Sequence, residues 1–110
     1  MAKQRKSSTA NFNSQESYKP RNKKEEFLLD VLIEARDSGE MAALMRDLMT
    51  NAEIEEFSNR LEMARLLLKG YSYQRVADEA HVSTTTVSRV AHWLYNGCGG
   101  YYKVIRRLIK

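Results

Sequence analysis

From residue 27 onward the apolar residues of this chain recur at helical spacing, in six segments separated by short polar or glycine-containing breaks. The first helix is predicted from about Lys24 to Arg36. Phe27, Leu28, Val31, Leu32 and Ala35 share one face, and Asp37-Ser38-Gly39 stops it. A second runs from Glu40 to Met49, with Met41, Leu44, Met45 and Leu48 at i, i+3, i+4 and i+7. Thr50-Asn51-Ala52-Glu53 is a capping-box pattern that opens the third and longest helix. Its inner face is marked by Ile54, Phe57, Leu61, Ala64 and Leu68, and Gly70 supplies the stop. After the glycine-rich break Asn96 to Gly100, a last helix from about Tyr101 to Ile109 packs Tyr102, Ile105, Leu108 and Ile109 and displays Lys103, Arg106 and Arg107.

Between these lies the stretch around which the chain is organised, residues 71–96. Ser72 is placed to cap a short helix with Val76, Ala77 and Ala80 on its buried side, and His81-Val82-Ser83 makes a tight turn. Ser83 can cap a second helix, where Val87, Val90 and Leu94 repeat at i, i+3 and i+7. That repeat leaves Thr84, Thr85, Thr86, Ser88 and Arg89 outside, at the beginning of the helix. Short hydroxyl side chains let a backbone approach phosphates and base edges, and Arg can bond guanine through two nitrogens. The pattern predicts a helix-turn-helix reading head for the major groove of double-stranded DNA. An ordinary helical bundle also joins helix pairs by three residues, but three β-branched residues in a row lower helix propensity, so stability alone does not favour them.

Several stripes are wider than one buried side requires. Leu29 and Ile33 on the first helix, and Met63, Leu66 and Leu67 on the third, extend the apolar surface beyond the needs of a small monomer. Three helices ahead of a reading head, with stripes spread this widely on the first and the third, predict a homodimer with a shared core.

Charge adds to this picture. The formal net charge of +4 conceals three blocks: residues 1–24 carry seven Lys/Arg against one Glu, a net of +6; residues 25–68 carry four against eleven acids, −7; residues 69–110 carry seven against two, +5. The reading head thus lies in a basic block, suited to a polyanion. Residues 1–23 are polar and basic with isolated Phe12 and Tyr18, too little apolar area to offset ordering, and are expected to be a disordered tail that solubilises or adds phosphate contacts. A single domain is expected over residues 24–110. Cys98 is the only cysteine, which excludes an intrachain disulfide and a cysteine-based zinc site. No run reaches membrane-span length and the start lacks the apolar core of a signal peptide, so the expectation is a cytoplasmic protein without membrane contact.

Little else in the chain carries chemistry. His81 and His92 have no Asp, Glu or Cys at metal-ligand spacing and read as surface polar residues. No phosphate-cradling glycine loop or nucleophile–base pair is present, so no enzyme is expected. Arg60, among Glu55, Glu56 and Glu62, suits an intrahelical ion pair, and Trp93 suits an aromatic anchor of the head against the long helix.

The run Asn59 to Val90 resembles the bacterial Trp operon repressor-like proteins, and the resemblance extends over roughly residues 25–110. It is carried by the Asn59-Arg60 helix ending Leu67-Leu68-Lys69-Gly70, the Ser-x-Gln-Arg opening at Ser72, and Thr86-Val87-Ser88-Arg89 of the second reading helix. The resemblance implies an all-α, intertwined homodimer whose two heads enter successive major grooves about 34 Å apart on a pseudo-palindromic operator. It implies DNA contacts from Gln74 and Arg75 with Ser72 beside them, and phosphate or base contacts from Ser83, Thr84, Thr85, Thr86 and Ser88, joined by Arg89. Arg60 and Arg89 match the two arginines that flank the tryptophan indole in the repressor proper. Val90 stands where the family has the glycine that makes room for that indole, and Trp93 replaces the serine that holds the ligand's amino group. These departures predict a filled pocket, a chain that needs no L-tryptophan, and no other cofactor. The resulting expectation is a sequence-specific transcriptional regulator that represses by occupying an operator. A DNA-binding accessory module of a replication or transposition machine, or a helical adaptor with an inert Thr cluster, are the competing readings.

Overall fold

The computed structural model describes residues 17–109, and over them the secondary structure is helical, joined by turns and short extended links. Six helices are present among the described residues: α1 (Lys23–Glu34), α2 (Ser38–Leu48), α3 (Asn51–Leu68), α4 (Tyr73–Ala80), α5 (Thr84–Asn96) and α6 (Gly100–Arg106). Most of the basic tail expected over residues 1–23 lies outside the described residues. The described chain divides into two compact units, residues 18–57 and residues 58–109, with α3 running from the first into the second.

In the first unit each helix start is fixed by its own side chains. Asn22 Oδ1 accepts from the Glu25 N–H at 3.0 Å, and Asp37 Oδ1 from the Glu40 N–H at 2.9 Å. The capping box at α3 closes reciprocally: the Thr50 N–H donates to Glu53 Oε1 at 2.9 Å, and the Glu53 N–H to Thr50 Oγ1 at 3.1 Å. Residues 18–22, assigned on composition to the disordered tail, are instead fastened to α1. Glu25 accepts from the Tyr18 hydroxyl, from the Arg21 N–H at 2.9 Å and from Arg21 Nε at 2.7 Å. Ion-assisted hydrogen bonds here do what apolar burial does not.

Neither α1 nor α2 buries a single residue. Phe27 is 68% exposed and Ile33 80%, and Leu28, Leu29 and Leu48 also lie open.

The second unit contains the core. Met63, Ala64, Leu66 and Leu67 of α3, Val76 and Ala77 of α4, Val87, Val90, Ala91 and Leu94 of α5, and Ile105 of α6 form one buried cluster. Truncating fully buried Leu94 to Ala would cost about 2–5 kcal/mol. The expected inner face of α3 is corrected here: Phe57 and Leu61 are exposed, whereas the supposed surplus residues Met63, Leu66 and Leu67 are buried. A stripe this wide has two possible inner sides, and α4 and α5 claim the second. Leu108 is likewise corrected. It is 80% exposed, because α6 stops at Arg106 and the Leu108 N–H closes a tighter turn on the Ile105 carbonyl at 2.8 Å.

α3 ends in a Schellman motif. Gly70, at φ +94°, donates to the Leu67 carbonyl at 3.0 Å, and the Tyr71 N–H donates to the Leu66 carbonyl at 3.2 Å. At the end of α4 the same role falls to His81, a non-glycine residue at φ 59°. Left-handed backbone costs such a residue about 1–2 kcal/mol. The Val82 N–H bond to the Ala77 carbonyl at 3.0 Å, and the packing of Val82 on the core, offset that cost.

Candidate nucleic-acid interface

The head is built from two caps. Ser72 Oγ accepts from the Arg75 N–H at 3.1 Å and starts α4; Ser83 Oγ accepts from the Thr86 N–H at 3.2 Å and starts α5. With α5 fixed by Val87, Val90, Ala91 and Leu94 in the core, the opposite side must face outward.

The nine residues expected to contact DNA therefore fall into three groups. Thr84, Thr85, Ser88 and Arg89 are exposed at the start of α5. Ser72, Ser83 and Thr86 are engaged by the helix starts: Ser83 Oγ lies 3.1 Å from Thr86 Oγ1, and Thr86 is only partly exposed. Ser72 and Ser83 accept at the caps, and the Ser83–Thr86 bond uses the hydrogen of one hydroxyl of that pair. One hydroxyl hydrogen from Ser72 and one from the Ser83–Thr86 pair therefore remain for a phosphate.

Gln74 and Arg75 are exposed but not loose. Gln74 Nε2 donates to Asp78 Oδ1 at 2.9 Å. A carboxylate only accepts, so Asp78 fixes which end of the amide is nitrogen and leaves Oε1 and the second N–H for a base edge. The Arg75 guanidinium carbon lies 3.9 Å from the centroid of the Tyr71 ring, and Arg75 Nε lies 3.9 Å from Glu79 Oε2. Tyr71, Asp78 and Glu79 were not singled out by the sequence pattern. The signal that could have found them is the i,i+4 spacing of Tyr71/Arg75, Gln74/Asp78 and Arg75/Glu79.

The residues matching an effector pocket separate. Val90 is 6% exposed and belongs to the head's own core, whereas Trp93 is 58% exposed. The expectation that Trp93 anchors the head is corrected. Its indole stands edge-on to His92, with ring centroids 5.4 Å apart, and lies beside Gly97. Arg60 and Arg89 are exposed. Glu62, a partner considered for Arg60, is held by Arg65 through two bonds of 2.9 and 2.6 Å, which lower its pKa. Near the end of α5, burial raises the phenol pKa of Tyr95, with a smaller contribution from Tyr73.

Among the described residues no cluster of three His, Cys, Asp or Glu side chains could hold a metal ion. No helix among them is long and apolar enough to cross a membrane.

Known proteins are similar to this chain. The chain is 33% identical over 90 residues to the uncharacterized protein YerC of Bacillus subtilis (strain 168), covering 82% of this chain and 86% of that one. The crystal structure of a TrpR like protein from Eubacterium eligens ATCC 27750 superposes with a TM-score of 0.74 at 32% identity, over 80% of this chain and 91% of that one. A family model described as Trp repressor protein matches residues 23–109, and with the helix-turn-helix in place the chain belongs to the Trp repressor family.

Proposed function

We propose that this protein is a sequence-specific, DNA-binding transcriptional regulator that represses by occupying an operator as a homodimer. One observation carries the reading: Thr84, Thr85, Ser88 and Arg89 are exposed at a capped helix start whose other side is buried core. Such a surface can enter a major groove without rearrangement. Lys and Arg side chains supply salt-dependent attachment, while Gln74, Arg75 and the Thr84–Ser88 surface choose the site.

The dimer is supported by the open apolar faces of the first unit, with Phe27, Ile33 and Leu48 left in water. A second copy buries them by symmetry, as the family's intertwined dimers imply. Val90 in the core supports regulation without tryptophan as corepressor. Action in the cytoplasm follows from the same reading.

Selection of bound sites from random duplex DNA with the purified protein tests this. A two-fold symmetric motif is the expected result. An asymmetric motif would point to an accessory module of another DNA machine, and no enrichment would leave a helical adaptor.

A further inference from the structure

The reading face contains one cation whose side chain is already braced. Arg75 reaches over Tyr71, its guanidinium carbon 3.9 Å from the ring centroid, and Glu79 Oε2 lies 3.9 Å from its Nε. The ring lies at the guanidinium carbon and the carboxylate at Nε, so the Nη–H groups are left for a partner outside the chain. Tyr71 is a firm support: it is half-buried, packs against the core, and its N–H is bonded to the Leu66 carbonyl at the end of α3. An arginine on a surface helix otherwise samples many rotamers, and a planar fork bonds two acceptors at once only when its plane is set.

Resting on the DNA-binding reading above, we propose that Tyr71 is a positioning residue. Its ring holds Arg75 ready for a two-point hydrogen bond to a pair of acceptors on duplex DNA. The ring itself touches no DNA. Phe should therefore replace Tyr71 without loss, whereas Leu, which keeps the core contact but has no π face, should not.

The test uses the full chain and the duplex recovered by site selection. Tyr71→Phe is expected to bind as the unaltered protein does, and Tyr71→Leu about two- to fivefold more weakly per reading head. In an Arg75→Ala background Tyr71→Leu should cost nothing more. A loss confined to the selected duplex assigns the contact to a base edge, and an equal loss on scrambled duplex to a phosphate; either upholds the positioning role. Unchanged or tighter binding by Tyr71→Leu, or an equal loss with Arg75 absent, overturns it. Should Tyr71→Leu fold poorly, Arg75→Lys leaves the core intact and removes the planar fork, and binding undiminished by it also overturns the proposal. NMR of the free protein gives a readout independent of DNA: ring-current shifts on the Arg75 side chain are expected in the unaltered and Phe chains and absent in Leu. Their absence from the unaltered chain overturns the proposal by itself. Shifts present in a protein that binds no duplex would overturn it through the DNA-binding reading instead, with the Tyr71–Arg75 contact intact.

Discussion

A Cβ atom at position 97 would lie 2.4 Å from the Trp93 carbonyl oxygen and 3.1 Å from the indole Cε3. Gly97 closes α5 by donating its N–H to that same carbonyl at 3.0 Å, and it is buried while Trp93 is not. Backbone on one side and a ring on the other leave no direction in which the neighbour can yield. Gly97→Ala should therefore destabilise the second unit by about 1–3 kcal/mol, an overpacking cost. Urea unfolding followed by the fluorescence of the single tryptophan measures it. A midpoint equal to the unaltered protein's would show that α5 ends differently.

The lead-in to α1 should respond to acid. The Arg21 and Tyr18 hydrogen bonds lower the Glu25 pKa from 4.5 to about 2. A depressed carboxylate stabilises the folded arrangement above its ordinary value, and that contribution is lost as pH falls from 4.5 through about 2. Carboxyl NMR should give Glu25 a midpoint near 2, moving back toward 4.5 in Arg21→Ala. An ordinary midpoint in the unaltered chain would mean that residues 18–22 are not fastened to the helix in solution.

Replacing Gln74 or Thr85 by Ala should weaken operator binding by about 1–3 kcal/mol each if each makes a base contact. Asp78→Ala should do part of the same damage, because the Gln74 amide loses the acceptor that fixes its orientation. Electrophoretic retardation with selected and scrambled duplexes measures all three. An unchanged preference between the two duplexes contradicts the assignment.

Ile33, 80% exposed on α1, should be covered by the second copy. The unaltered chain of 12.7 kDa is expected to sediment at twice that mass. Ile33→Asp should shift it toward monomer and lower operator affinity in step, since a charge desolvated at each of two symmetry-related positions is costly. A monomeric unaltered protein at micromolar concentration would remove the dimer from the proposal.

Calorimetric titration with L-tryptophan should give no heat of binding at micromolar ligand, and operator affinity should be the same with and without it. Val90, where the family leaves room for an indole, is packed in the core at 6% exposure. Micromolar binding would refute the filled pocket and the tryptophan-independent reading with it.

Residue spacing alone was enough wherever the partner lay nearby along the chain. Ser72, Ser83 and the Thr50/Glu53 box sit beside the N–H groups they cap, so three-residue spacing suffices to place those helix starts. The outward face of Thr84, Thr85 and Ser88 followed from the Val87, Val90, Leu94 repeat for the same reason. Tertiary structure alone decided which side of α3 became core, turning Met63, Leu66 and Leu67 inward while Phe57 and Leu61 stayed open. It also left Trp93 outside, turned Leu108 away, and laid Arg75 across Tyr71. Spacing along a helix says which residues share a side, but burial depends on what arrives there from distant parts of the chain, and a stripe wide enough for two partners does not name the one that comes first.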